Sequence, residues 1–109
     1  APGVDKRTGE KLRKGRMDID GRVDLHGMSQ EIAHGALIHL VGRGFDRGLR
    51  CLLVITGKGD RTGGEGVLRR AVPRWLNEPG LREKVLSFSY AQPRDGGEGA
   101  LYVLLKRRR

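Results

Sequence analysis

The chain of 109 residues has one cysteine, five aromatic side chains and no apolar run near the roughly 20 residues of a membrane span. Each shortage excludes something. A single cysteine, Cys51, rules out an internal disulfide and leaves a zinc cluster short of ligands, so within Leu49–Ile55 it reads as a small core residue. Phe45, Trp75, Phe88, Tyr90 and Tyr102 fall mostly at core positions, which argues against a base-stacking platform for single strands. No charged-then-apolar leader with a small-residue cleavage site opens the chain, and a soluble, cytoplasmic protein without membrane partners is expected. The length suits one domain with a real core.

Acidic residues are scarce at the two ends. The net charge is +9, from 22 Lys and Arg against 13 Asp and Glu. Residues 1–16 hold six cations against Asp5 and Glu10, and Lys106–Arg109 are four more, so eight of the nine net charges lie at the ends. The body is nearly neutral. Basic arms of this kind either serve a polyanion, because each phosphate neutralised releases counterions, or only confer solubility.

Residues 1–16 offer little to bury beyond Val4 and Leu12 and read as a basic arm or a short peripheral helix over Asp5–Lys14, ended by Gly15. From Met17 to His26 apolar residues at 17, 19, 23 and 25 alternate with polar ones, the period of a half-buried strand. Val23 and Leu25 then share one face, Asp24 and His26 the other. Gly27 breaks the strand, Ser29 is an N-cap with Met28 and Ile32 as a hydrophobic staple, and a helix is expected over Gln30–Arg43. Its stripe is Ile32, Ala33, Ala36, Leu37 and Leu40, with His34 opposite and His39 at the margin. Gly42, Gly44 and Gly48 end it, with Phe45 tucked back on the core. Residues 49–55 form the apolar run of a central strand covered on both faces. Asp60–Glu65 read as a flexible loop; a second helix from Gly66 buries Val67, Leu68, Ala71, Val72, Trp75 and Leu76, kinked or restarted at Pro73. Val85–Tyr90 and Ala100–Leu105 close the chain as strands near enough to pair as a hairpin. The order is βαβαββ.

In a sheet built from strand-helix-strand crossovers, ligands gather beyond the carboxyl ends of the parallel strands. Two polar turns fall there. Asp24-Leu25-His26-Gly27 ends the first strand, and Thr56-Gly57-Lys58-Gly59 ends the second, its glycines letting backbone approach an anion while Lys58 adds a positive charge. A phosphodiester is the ligand these features suit. Nucleotide-binding alternatives fail on spacing: a P-loop needs Ser or Thr where Gly59 stands, and a dinucleotide fingerprint needs glycine at Thr62. At a phosphodiester, an aspartate two residues from a histidine can fix the tautomer of a general base, hold a divalent cation, or orient the phosphate. It can also simply cap the following helix.

Val23-Asp24-Leu25-His26-Gly27, a helix, Ile55-Thr56-Gly57-Lys58-Gly59, Gly66-Val67-Leu68 leading to Trp75-Leu76, and Gly96-Gly97-Glu98-Gly99-Ala100 occur in an order that resembles the Smr (small MutS-related) domain, over about Arg22 to Lys106. The resemblance implies an α/β chain of the α+β two-layer type. It would resemble the C-terminal domain of translation initiation factor 3, with a four-stranded mixed sheet, helices on one face and the last strand antiparallel. Residues 17–109 would form the domain and 1–16 the arm of a stand-alone bacterial member. It also implies nucleic-acid binding and, in many members, endonuclease activity on DNA or RNA, in some cases on messenger RNA of stalled ribosomes. The family's DxH motif carries over onto Asp24 and His26, and its TGxG motif onto Thr56, Gly57, Lys58 and Gly59.

The expectation is therefore an Smr-type endonuclease, with a non-catalytic nucleic-acid- or ribosome-binding module as the alternative and a protein-interaction adaptor as a further rival. His26 serves as general base or acid, and Asp24 orients it or holds a magnesium or manganese ion. Thr56–Gly59 with Lys58 and Arg61 bind phosphate, while Lys11, Arg13, Lys14 and Arg16 add backbone contacts indifferent to sequence. DNA or RNA is the partner, ribosome association is admitted, and a monomer is favoured.

Overall fold

Four strands form one sheet in the order β1-β2-β4-β3 in the computed structural model, which describes residues 6–58 and 66–108. Along the chain these are α1 (Lys6–Arg13), β1 (Gly21–Asp24), α2 (Gln30–Asp46), β2 (Cys51–Ile55), α3 (Val67–Leu76), β3 (Val85–Tyr90) and β4 (Ala100–Leu105). β1 and β2 are parallel, with Val23 opposite Val54. β4 runs antiparallel to both β2 and β3, so the sheet is mixed and the last two strands pair as expected.

Burial follows from that order. All six residues of β4 are buried, as are the first four of β2, because each has a strand on both sides and side chains packed on both faces. On one face Leu25, Leu52, Val54, Leu101, Val103 and Leu105 meet the apolar stripes of α2 and α3. On the other, Cys51, Leu53, Ala100, Tyr102 and Leu104 form a second cluster closed by Leu12 of α1. α2 and α3 thus share the face that the resemblance assigns to helices, while α1 anchors the N-terminal segment on the opposite face. Burial pushes the Cys51 thiol up to about 11, as suits an inert core residue.

Several expectations are corrected. The alternation from Met17 to Leu25 is not one strand: Met17 and Ile19 pack with the α1-side cluster, Val23 and Leu25 with the helix-side core. Between them Asp20 is pinned to the start of β2, its Oδ2 accepting from the backbone N–H groups of Arg50 (2.9 Å) and Cys51 (3.1 Å). α2 runs three residues past Arg43, through Gly42 and Gly44. At Gly44 the helix lies close to the sheet, since a Cβ there would come 3.1 Å from Leu105 Cδ1. The buried stripe of α2 is Ala33, Leu37, Val41 and Gly44; Ile32 is 63% exposed and staples nothing to the core. Ser29 does cap the helix, accepting from the Ile32 amide at 3.3 Å. α3 is unbroken through Pro73, held by Leu68, Ala71, Val72, Trp75 and Leu76, whereas Val67 faces outward. His34 bridges the two helices. Its ring stacks on Trp75 with centroids 4.5 Å apart, and its Nε2 lies 2.9 Å from Glu78 Oε2. The expected loop Asp60–Glu65 lies outside the described residues.

Leu12→Ala is expected to destabilise the fold by about 2–5 kcal/mol through the cavity left beneath α1, whereas Ile32→Ala should stay within about 0.5 kcal/mol. Denaturant titrations of the two variants check the contrast.

Candidate active site

The carboxyl ends of β1 and β2 lie side by side because the strands are parallel and in register, with Asp24 opposite Ile55 and the Leu25 amide donating to the Ile55 carbonyl at 2.7 Å. β1 stops at Asp24. One Asp24 oxygen, Oδ1, accepts from the His26 backbone N–H at 3.0 Å and lies 3.0 Å from His26 Nδ1. A tight turn, not strand parity, therefore joins the two side chains, and Gly27 at φ +83° lets the backbone leave it. Both groups face solvent, with side-chain exposures of 70% for His26 and 53% for Asp24. The His26 amide, then its ring, hold the Asp24 carboxyl below its ordinary value of 3.8, so the carboxylate is ionised at neutral pH.

Thr56 and Gly57 lie beside this turn. A Cβ on Gly57, which sits at φ +79°, would be 3.4 Å from His26 Cβ. The convergence expected of the two motifs is met at one rim of the sheet. Their roles differ from expectation, however. The amides of Thr56 and Gly57 do not point at a ligand; both donate to the Gly99 carbonyl, at 2.8 and 3.0 Å. Thr56 is buried, and its hydroxyl approaches the Gly57 and Gly99 carbonyls at 2.9 and 3.3 Å. These two residues position the turn. Lys58 is exposed and, with Pro93, Gly96, Gly97 and Glu98, lines an open pocket of about 500 Å³. Gly59 and Arg61 lie outside the described residues.

Gly99 is the residue that site reasoning from sequence missed. Its α-carbon is pressed against the Gly57 turn, where a Cβ would come 3.3 Å from Gly57 C and 3.2 Å from Lys58 Cγ. The glycine-rich run before the last strand was the only signal of it. Beside it, Arg69 reaches Glu98 at 3.8 Å.

Lys11, Arg13, Lys14 and Arg16 belong to α1 and its exit, on the face away from α2 and α3. The β3–β4 loop ties them down: Gln92 Nε2 donates to the Arg13 carbonyl at 2.6 Å, and Arg94 donates to the Gly15 carbonyl. Gly99, in the same loop, holds the Thr56–Gly57 turn. Lys106 and Arg108 lie at the other end of the sheet, where the Lys106 amide donates to Lys84 O and Arg108 to Asp46 O. There burial, and then Arg107, lower the Arg50 guanidinium.

Among the described residues no three His, Cys, Asp or Glu side chains are grouped to hold a metal ion. Asp24 Oδ2 makes no hydrogen bond among them, which leaves it as the carboxylate oxygen open to a divalent cation. No helix among the described residues is long and apolar enough to cross a membrane.

A model of the Smr domain matches residues 23–106. The ribosome rescue factor SmrB of Yersinia enterocolitica is 34% identical over 105 residues, which are 96% of this chain and 55% of that protein. SmrB of Photobacterium profundum is 32% identical over 103 residues, 94% of this chain and 54% of that protein. The chain spans about half the length of these relatives. Among solved structures, YdaL, a stand-alone small MutS-related protein from Escherichia coli, has a TM-score of 0.80 at 30% identity, covering 98% of this chain and 80% of that one. The Smr domain of Thermus thermophilus MutS2 has a TM-score of 0.67 at 29% identity, covering 79% of this chain and 98% of that one.

Because the His26 backbone amide is the main cause of the low Asp24 pKa, NMR titration of His26→Ala should still find the Asp24 midpoint below 3.8. The sign follows: a depressed carboxyl pKa adds stability above the unfolded value, lost only as pH falls below it. Gly99→Ala should destabilise the fold by about 1–3 kcal/mol and displace the amide resonances of Gly57 and Lys58.

Proposed function

The chain belongs to the Smr domain family, and from that premise we propose that it is a nuclease whose Asp24–His26 couple acts on the phosphodiester backbone of DNA or RNA. The observation that carries the reading is the 3.0 Å contact between Asp24 Oδ1 and His26 Nδ1 on two solvent-facing side chains. An ionised carboxylate at that atom keeps the proton on Nδ1 and turns the Nε2 lone pair outward. Nε2 then takes the proton of the attacking oxygen, from water or, on RNA, from a ribose 2'-hydroxyl. That oxygen bonds to phosphorus, the bond to the leaving ribose oxygen breaks, and the leaving oxygen receives a proton from the imidazolium or from solvent. Lys58, in the adjoining turn, offsets negative charge on the phosphate. A magnesium or manganese ion held by Asp24 Oδ2 and substrate oxygens would add to that neutralisation. The Lys11, Arg13, Lys14 and Arg16 side chains supply phosphate contacts on the α1 side.

RNA on the ribosome is the substrate setting favoured by the two relatives that are ribosome rescue factors. One observation favours the second reading, a binding module without catalysis: the Thr56 and Gly57 amides are committed to Gly99, which leaves fewer donors for a charged transition state.

Labelled DNA and RNA, as single strands and duplexes, with magnesium or with EDTA, test the proposal. His26→Ala is expected to slow cleavage by about 10²–10⁴-fold with affinity unchanged. Equal cleavage by the variant removes His26 from the chemistry, and absence of product on every substrate leaves the binding module.

A further inference from the structure

β1 is an edge strand, and its free side borders an open groove. A groove of about 490 Å³ runs between it and α2, floored by Val23, Ala36 and Leu40 and lined by Arg22, His39, Arg43 and Arg47. Three of the last four share a helical row: His39, Arg43 and Arg47 follow one another at intervals of four residues, and α2 runs antiparallel to β1, so the row leads away from the Asp24–His26 turn. Among the described residues none of Arg22, Arg43 or Arg47 makes a side-chain ion pair. The one carboxylate lining the groove, Asp20, is already satisfied by the amides of Arg50 and Cys51. Arg22, Arg43 and Arg47, unpaired over an apolar floor and beside an unpaired strand edge, suit an anionic occupant.

The geometry points to this groove as the track for the nucleic-acid backbone flanking the scissile phosphate, with Arg43 and Arg47 each holding a phosphate. The inference rests on the nuclease reading of Asp24 and His26. Continuity favours nucleic acid over an acidic peptide, because the groove takes in β1 up to Val23, next to Asp24. Spacing agrees: four residues of helix advance about 6 Å, the order of separation between successive phosphates of an extended strand. The contacts are to backbone, so they do not discriminate sequence.

Fluorescence anisotropy of a labelled single-stranded oligonucleotide at increasing salt reads the proposal, with His26→Ala as the parent so that cleavage does not interfere. Adding Arg43→Ala and Arg47→Ala is expected to reduce the slope of log K against log salt by about 1.4, two phosphates at about 0.7 each, for DNA and RNA alike. Arg43→Lys with Arg47→Lys should restore it. Arg74→Ala with Arg82→Ala, exposed cations away from the groove, should leave it unchanged. An unchanged slope in the Arg43 and Arg47 variant overturns the inference, and so does an equal loss in the Arg74 and Arg82 control. Loss of binding to poly-glutamate with nucleic-acid binding intact overturns it in favour of an acidic peptide. In the wild-type background the Arg43 and Arg47 substitutions should raise KM and spare kcat. If the wild type cleaves nothing, the nuclease reading fails while the salt slopes still report on the groove.

Discussion

Pairing of β4 with β2 is the constraint on which the rest of this structure depends. β4 enters between two strands that run parallel to each other, and Ala100 opposite Ile55 fixes where it begins. The residue before it, Gly99, is thereby delivered to the carboxyl end of β2, where its carbonyl accepts from the Thr56 and Gly57 amides. Two amides converge on that oxygen, and the single Thr56 hydroxyl proton, lying between the Gly57 and Gly99 carbonyls, adds to the satisfaction of this buried turn. Gly57, so held, lies against His26, and one hydrogen-bonded carbonyl thus connects the centre of the sheet to the residue proposed to do chemistry.

The two motifs at the rim divide their work. Asp24 and His26 are exposed, bonded to each other and free to meet a substrate. Thr56 and Gly57 are occupied with internal bonds and act as a platform. Lys58 is the exposed cation of that turn. Charge around the platform is distributed by loops: α1 is tied to the same β3–β4 segment that carries Gly99, while Lys106 and Arg108 sit at the far end of the sheet. The net charge of the chain is therefore split between two poles, and only one of them adjoins the rim.

Much of this was legible from residues. The apolar run 49–55 read as a central strand covered on both faces, which β2 is from Cys51 to Ile55, Ser29 announced the start of α2, and the two glycine-bearing turns announced the rim. What was not legible follows from non-local packing. Alternation from Met17 to Leu25 keeps its period across Asp20 but changes which cluster it serves, and period alone does not report a break in phase. Gly44 looks like a helix terminator by propensity, yet it lies within the last turn of α2, where the close approach to Leu105 leaves a Cβ little room. Ile32 reads as core by hydropathy, but it lies one position off the stripe running from Ala33 through Leu37 and Val41. The amides of Thr56 and Gly57 look free in a glycine-rich turn until the partner carbonyl, 43 residues onward from Thr56, is placed beside them.

The chain's single tryptophan, part of the helix-side core, also stacks against an imidazole. Trp75 belongs to α3 and His34 to α2, so indole emission is an intrinsic optical gauge of the seam between the two helices. Because α2 leads back through Ser29 to the His26 turn, any event at the rim that tilts this helix has a built-in spectroscopic witness, with no dye attached.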